Sequence, residues 1–119
     1  SVVAAFHFYA MAIEARARVE MGENHTGILL ATTAMGAIET LQGSEYGIPT
    51  RALCCEALAR AGSPQAFEIR ERARAYVSRL VEFIRDPVFR ELFLKRRVVL
   101  EILHDSPQPS KSPERSLLS

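Results

Sequence analysis

SPQAFEIRERARAYVSRLVEFI, residues 63–84, is the stretch from which the fold is read. Its apolar positions Ala66, Ile69, Ala73, Tyr76, Leu80 and Phe83 follow one another at steps of 3, 4, 3, 4 and 3. That spacing lines up one face of an α-helix, since side chains three and four residues apart stand over one another. Val77 and Ile84 widen the stripe to the breadth of a helix buried against more than one neighbour. Glu68, Arg70, Glu71, Arg72, Arg74, Arg79 and Glu82 occupy the other faces, and Glu68 precedes Arg72 by four residues, the favourable order for an ion pair. A packing helix with a charged, solvated back is expected. This points to a scaffold and names no reaction.

On either side the same grammar continues. Pro64 suits a first helical turn and Ser63 an N-cap. Asp86-Pro87 repeats that device and opens a fifth helix through Phe89, Leu92, Phe93, Val99, Leu100 and Leu103. Toward the N-terminus, Val2, Ala5, Phe6, Tyr9, Ala10, Ile13, Ala17 and Met21 recur at three- and four-residue steps, predicting a first helix that Gly22 ends. A second helix is expected over residues 25–41, where Gly27, Thr32, Thr33 and Gly36 lower the intrinsic propensity and tertiary packing must compensate. Small residues at Gly27, Ala31, Ala34 and Ala37 would let a neighbouring backbone approach closely. Residues 42–47 read as a turn, and a third helix as residues 49–61, with a start as early as residue 44.

No alternation of apolar and polar residues persists long enough for a strand, so the expected fold class is all-α. Helices joined by so few residues must run antiparallel, as stacked αα-hairpins. About five helices are expected over a single domain at residues 1–104, followed by a disordered Ser- and Pro-rich tail at 105–119. Ser106-Pro107 and Ser112-Pro113 in that tail are potential phosphate acceptors, although a flexible end is the simpler view.

Composition narrows the function classes. Of the 119 residues 48% are hydrophobic and 24% charged, ordinary values for a soluble globular chain, and no apolar run reaches membrane-spanning length. The formal net charge is +1, so no global field draws the chain to nucleic acid or anionic lipid. The basic cluster Arg70, Arg72, Arg74, Arg79, Arg90, Lys95, Arg96 and Arg97 is interleaved with Glu68, Glu71, Glu82 and Glu91, which disfavours a nucleic-acid face. The only cysteines, Cys54 and Cys55, are adjacent and cannot form an ordinary intrachain bridge, which favours a reducing, cytoplasmic setting. The chain begins at Ser1 without a signal-peptide pattern and is expected to be a fragment or a processed form.

Catalytic and metal constellations do not emerge. His7, His25 and His104 are far apart, no Cys-x-x-Cys or His-x-x-x-His pair exists, and no lysine follows the Gly43–Gly47 turn as a phosphate loop would require. Cys54 and Cys55 lack a base at a suggestive spacing, and Glu68 and Glu71 lie among arginines that account for them by charge pairing. The sequence therefore leads to the expectation of no enzyme, no cofactor and no metal.

Gly22 and Gly62 stand at two helix joints 40 residues apart, and each is followed by small residues seven apart, Gly27 and Ala34 in one case and Ala66 and Ala73 in the other. These six positions resemble tetratricopeptide repeats (TPR). The chain from Glu56 to Gly62, then the charged helix and the run from Ile84 to Leu94, resembles the C-terminal repeat region of large bacterial signalling proteins that join a Ser/Thr kinase or an AAA-type ATPase or cyclase to a repeat array. The aromatic and Pro positions of the usual repeat are missing, and residues 95–97 depart from the break expected after Phe93-Leu94.

The resemblance implies a short TPR-like solenoid that binds protein or peptide segments, with a kinase or ATPase module elsewhere in the parent chain. A solenoid exposes a groove built from its first helices. Arg16, Arg51, Cys55 and Arg60 are the candidate groove residues, as polar or weakly polar groups on the first helices of the two units. Two units are too few for a complete array, so Val2, Val3, Phe6 and Tyr9 are expected to meet preceding repeats or a second copy. The rival expectation is a free-standing helical bundle, dimeric through its first helix, with a transcription-regulatory role.

Overall fold

The computed structural model describes residues 2–41, 43 and 45–104. The tail expected at residues 105–119 lies outside the described residues. Six helices follow in order: α1 (Val2–Glu20), α2 (Asn24–Ile38), α3 (Gly47–Arg60), α4 (Ala66–Phe83), α5 (Pro87–Leu94) and α6 (Arg97–Leu103). No strand occurs among the described residues, and none of their helices is long and apolar enough to cross a membrane. The all-α expectation therefore holds.

Two glycine joints set the hairpin geometry. Gly22 takes φ +87° and Gly62 φ +70°. Around Gly22 the amide of Glu23 donates to the Arg18 carbonyl and that of Gly22 to the Val19 carbonyl. Around Gly62, Ser63 and Gly62 donate in the same way to Leu58 and Ala59. Both joints are thus Schellman closures, in which the left-handed residue lets the chain satisfy carbonyls that the helix end leaves open.

The hairpin α1–α2 is packed through small residues. Ala5, Ala12 and Ala15 of α1 and Ala31 and Ala34 of α2 are essentially excluded from solvent. A Cβ at Gly27 would overlap Val19 Cγ2 and come within 3.0 Å of the Ala15 carbonyl oxygen. Close helix approach is therefore what the low-propensity residues of α2 provide. Met35, Ile38 and Leu58 are the largest side chains wholly inside the core.

Helix α3 is the hub: it packs on α1, α2, α4 and α6, while α6 also packs on α4. The Cα atoms span 48 × 32 × 19 Å, a slab about two helices thick at the usual spacing of about 8–10 Å between axes.

Several expected boundaries move, among them the end of the second helix, which stops at Ile38 rather than at residue 41. Ser63 does not cap the fourth helix directly; its Oγ accepts from the Gln65 amide in a short turn, and α4 begins at Ala66. The expected fifth helix is divided at Lys95-Arg96, where Arg96 takes an extended conformation, φ −65° and ψ 139°. The cause is tertiary: Val99 and Ile102 are fully buried in the core, whereas α5 buries no residue completely. Turning the chain at Arg96 brings α6 back onto α3 and α4. The Asp86 cap is as expected, its carboxylate accepting from the amides of Val88 at 2.8 Å and Phe89 at 3.3 Å.

Candidate ligand-binding pocket

The four residues expected in a groove divide into two pairs. Arg60 is exposed and Arg16 partly buried, and they share one carboxylate: Glu56 Oε2 is 3.2 Å from Arg16 Nε and 3.0 Å from Arg60 Nε. Arg16 also reaches Glu20 at 3.0 Å. Two cations meet two anions there, so this face of α1 and α3 is locally neutral. Arg51 and Cys55 are inside the protein instead, 3% and 2% exposed. They present almost no surface on the open side of α3, because their register turns them away from it.

Arg51 belongs to a different site. A pocket of about 520 Å³ lies where the end of α2 and the turn after it meet α4. Its apolar wall is Leu41, Tyr76, Leu80 and Phe83, and its charged groups are Glu39, Arg51, Arg72 and Arg79. Glu39 and Arg72 form a bidentate pair, Nη2 to Oε1 at 2.7 Å and Nε to Oε2 at 2.8 Å, which ties the end of α2 to α4. Both side chains are partly solvated, so the pair contributes only about 1 kcal/mol. Its charges cancel within the pocket.

Arg51 reaches the pocket from the buried side. Its guanidinium lies over the Tyr76 ring, 3.5 Å from the centroid, and its Nη1 donates to the Gly47 carbonyl at 3.0 Å. The missing side chain of Gly47 makes the arrangement possible, since a Cβ there would stand 3.2 Å from both Arg51 Nη1 and the Tyr76 hydroxyl. Arg51 Nε is buried without a hydrogen-bond partner. Burial lowers the Arg51 pKa from the ordinary range, with the charge of Arg79 adding to the shift and Tyr76 and Glu39 opposing it. Arg79 is exposed and makes no hydrogen bond or ion pair among the described residues. In the sequence Arg79 reads as part of a solvated face, and no local signal links Arg51 to Tyr76, 25 positions along the chain.

The thiols next to Arg51 are poor nucleophiles. Cys54 and Cys55 are free and buried. Burial pushes the Cys54 thiol up to about 12 and the Cys55 thiol up to about 11. No group of three or more His, Cys, Asp or Glu side chains among the described residues is arranged to hold a metal ion. What the pocket offers chemically is cationic hydrogen-bond donors beside aromatic and aliphatic surface, an arrangement suited to holding an anion. No protein-family model matches the chain, and neither a curated protein nor a solved structure does.

Proposed function

We propose that this chain is a non-catalytic helical-repeat module that holds protein or peptide segments, the C-terminal part of a cytoplasmic bacterial signalling protein with a kinase or ATPase module. The observation carrying the reading is the order of packing: α1 on α2 and α3, α2 on α3, and α3 on α4. From α1 to α4 each helix rests on the next one or two along the chain, as stacked hairpins do. Support also comes from the matching Schellman closures at Gly22 and Gly62, and from α6, which packs on α3 and α4 in the manner of a further first helix.

In this reading the open side of α1 and α3, with Arg16, Glu56 and Arg60, is the binding face. A random peptide library displayed against the full chain tests it. Selected peptides should lose about tenfold or more in affinity on Arg16→Glu with Arg60→Glu, the double change leaving helical content intact; unchanged affinity would reject that face.

A second reading, a bundle dimeric through α1 with a regulatory role, is favoured by one observation. Val2, Val3, Phe6 and Ile13 of α1 are 71%, 78%, 54% and 46% exposed. Part of that end is already used within the chain, where Tyr46 stacks on Tyr9 at 5.1 Å and meets Phe6 edge-on at 5.7 Å. Light scattering after size exclusion separates the two readings by mass.

A further inference from the structure

The pocket between the end of α2 and α4 contains an imbalance of charge that its own residues leave unanswered. Glu39 is taken up by Arg72. That leaves two positive charges, on Arg51 and Arg79, with no carboxylate in contact among the described residues. Arg51 is desolvated, and its partners are a backbone carbonyl and an aromatic face, neither of which carries a full negative charge. A buried cation in that state gains from any anion that reaches it, because desolvation costs several kcal/mol and pairing recovers part of it. Its Nε is buried without an acceptor, which adds to the cost of holding this cation inside the protein.

We propose that this pocket binds a phosphate monoester carried on an apolar body, with the phosphate between Arg51 and Arg79 and the body against Tyr76, Leu80 and Phe83. The charge argument selects phosphate over a single carboxylate: about −1.5 to −2 at neutral pH matches the two uncompensated arginines. Guanidinium groups provide paired donors suited to phosphate oxygens. The shape argument selects an organic ester over free phosphate, since the pocket of about 520 Å³ is far larger than one phosphate and its outer wall ends in the 78% exposed ring of Phe83. The ester could be a small metabolite or a phosphorylated side chain; the chemistry of recognition is the same. The site stands independently of the peptide-binding face on α1 and α3.

The test is an NMR shift titration of the full chain in phosphate-free buffer at low salt, with two probes, phenyl phosphate and a short phosphotyrosine peptide. Saturable shifts centred on Glu39, Tyr76 and Arg79, with a Kd of about 1 mM or tighter for at least one probe, are expected. Inorganic phosphate should bind more weakly than the better probe. Arg79→Gln, at an exposed position where the fold is not at stake, should weaken binding by about tenfold. Binding of phenyl phosphate alone would point to a small-molecule source, and binding of the peptide alone to a phosphorylated partner. No saturable shift with either probe at about 10 mM, shifts centred elsewhere, or an Arg79→Gln variant that binds as tightly as the unaltered chain would overturn the assignment.

Discussion

At the scale of single residues, the two internal glycines of α2 have opposite roles, although each lowers helix propensity. Gly27 lies against Val19 and the Ala15 carbonyl, whereas a Cβ at Gly36 would meet nothing within 4 Å. Gly27→Ala should therefore destabilise the protein by about 1–3 kcal/mol through overpacking, and Gly36→Ala should stabilise it by about 0.5–1 kcal/mol. Urea unfolding of the two variants checks both signs. The sequence marks Gly27 as a place of close approach because it begins a series with Ala31 and Ala34, and Gly36 falls outside that series.

The thiols belong to the same scale. Cys54 and Cys55 ionise in the folded chain near 12 and 11, above the ordinary thiol value of 9.0 that the unfolded chain would show. Their contribution to stability is complete below pH 9 and is lost as pH rises from there toward 11 and 12, because the unfolded state releases protons first. The melting temperature should fall over that interval, and fall less steeply in a Cys54→Ala, Cys55→Ala double variant. At pH 8 an aromatic disulfide reagent should label neither thiol in the native chain and both in denaturant. Arg51 shows where residue-level reading failed. An arginine on a helix is usually exposed, and nothing local discloses that Gly47 leaves room for its guanidinium on Tyr76.

At the scale of elements, α6 is retained by contacts that sequence periodicity does not reveal. Arg70 Nη1 donates to the carbonyls of Glu101 at 2.9 Å, His104 at 3.3 Å and Ile102 at 3.4 Å, and Arg74 Nε donates to Ile102 at 3.2 Å. Cationic donors thus close the C-terminal end of a seven-residue helix too short to persist alone. Arg70→Ala with Arg74→Ala should raise amide exchange at Val99 and Ile102 by an amount equivalent to about 1–3 kcal/mol while leaving the α1–α2 hairpin unchanged. Equal loosening of both regions would mean that α6 is not held by these arginines. Local grammar gave the Asp86 cap and both glycine closures correctly, since each is settled within a few residues. It carried the fifth helix straight through Lys95-Arg96, because the burial of Val99 and Ile102 that turns the chain there is a long-range effect.

At the scale of the whole molecule, α3 packs on helices that precede it and helices that follow it, and exposed large apolar side chains lie outside α3. Val2 and Val3 are exposed at one extreme, and Phe83, Val88, Phe89 and Leu92 around α5. Surfaces of this kind mark interaction sites. Light scattering should return the mass of a single chain if the α1 face awaits a partner of another kind, and twice that mass if α1 pairs with itself. The helical class is legible from the 3.6-residue periodicity. The pocket was not, because it is assembled from Glu39, Arg51 and Arg79 on three segments whose approach depends on the packing itself.

On the proposed reading, the open side of α1 and α3 holds a peptide and does not transform it. Isothermal titration of the full chain with the tightest peptide selected from a displayed library tests this most directly. The account predicts a saturable complex of one peptide per chain that Arg16→Glu with Arg60→Glu weakens by about tenfold or more, with the peptide recovered intact. A peptide bound equally well by the charge-reversed chain, or recovered cleaved or modified, would contradict it.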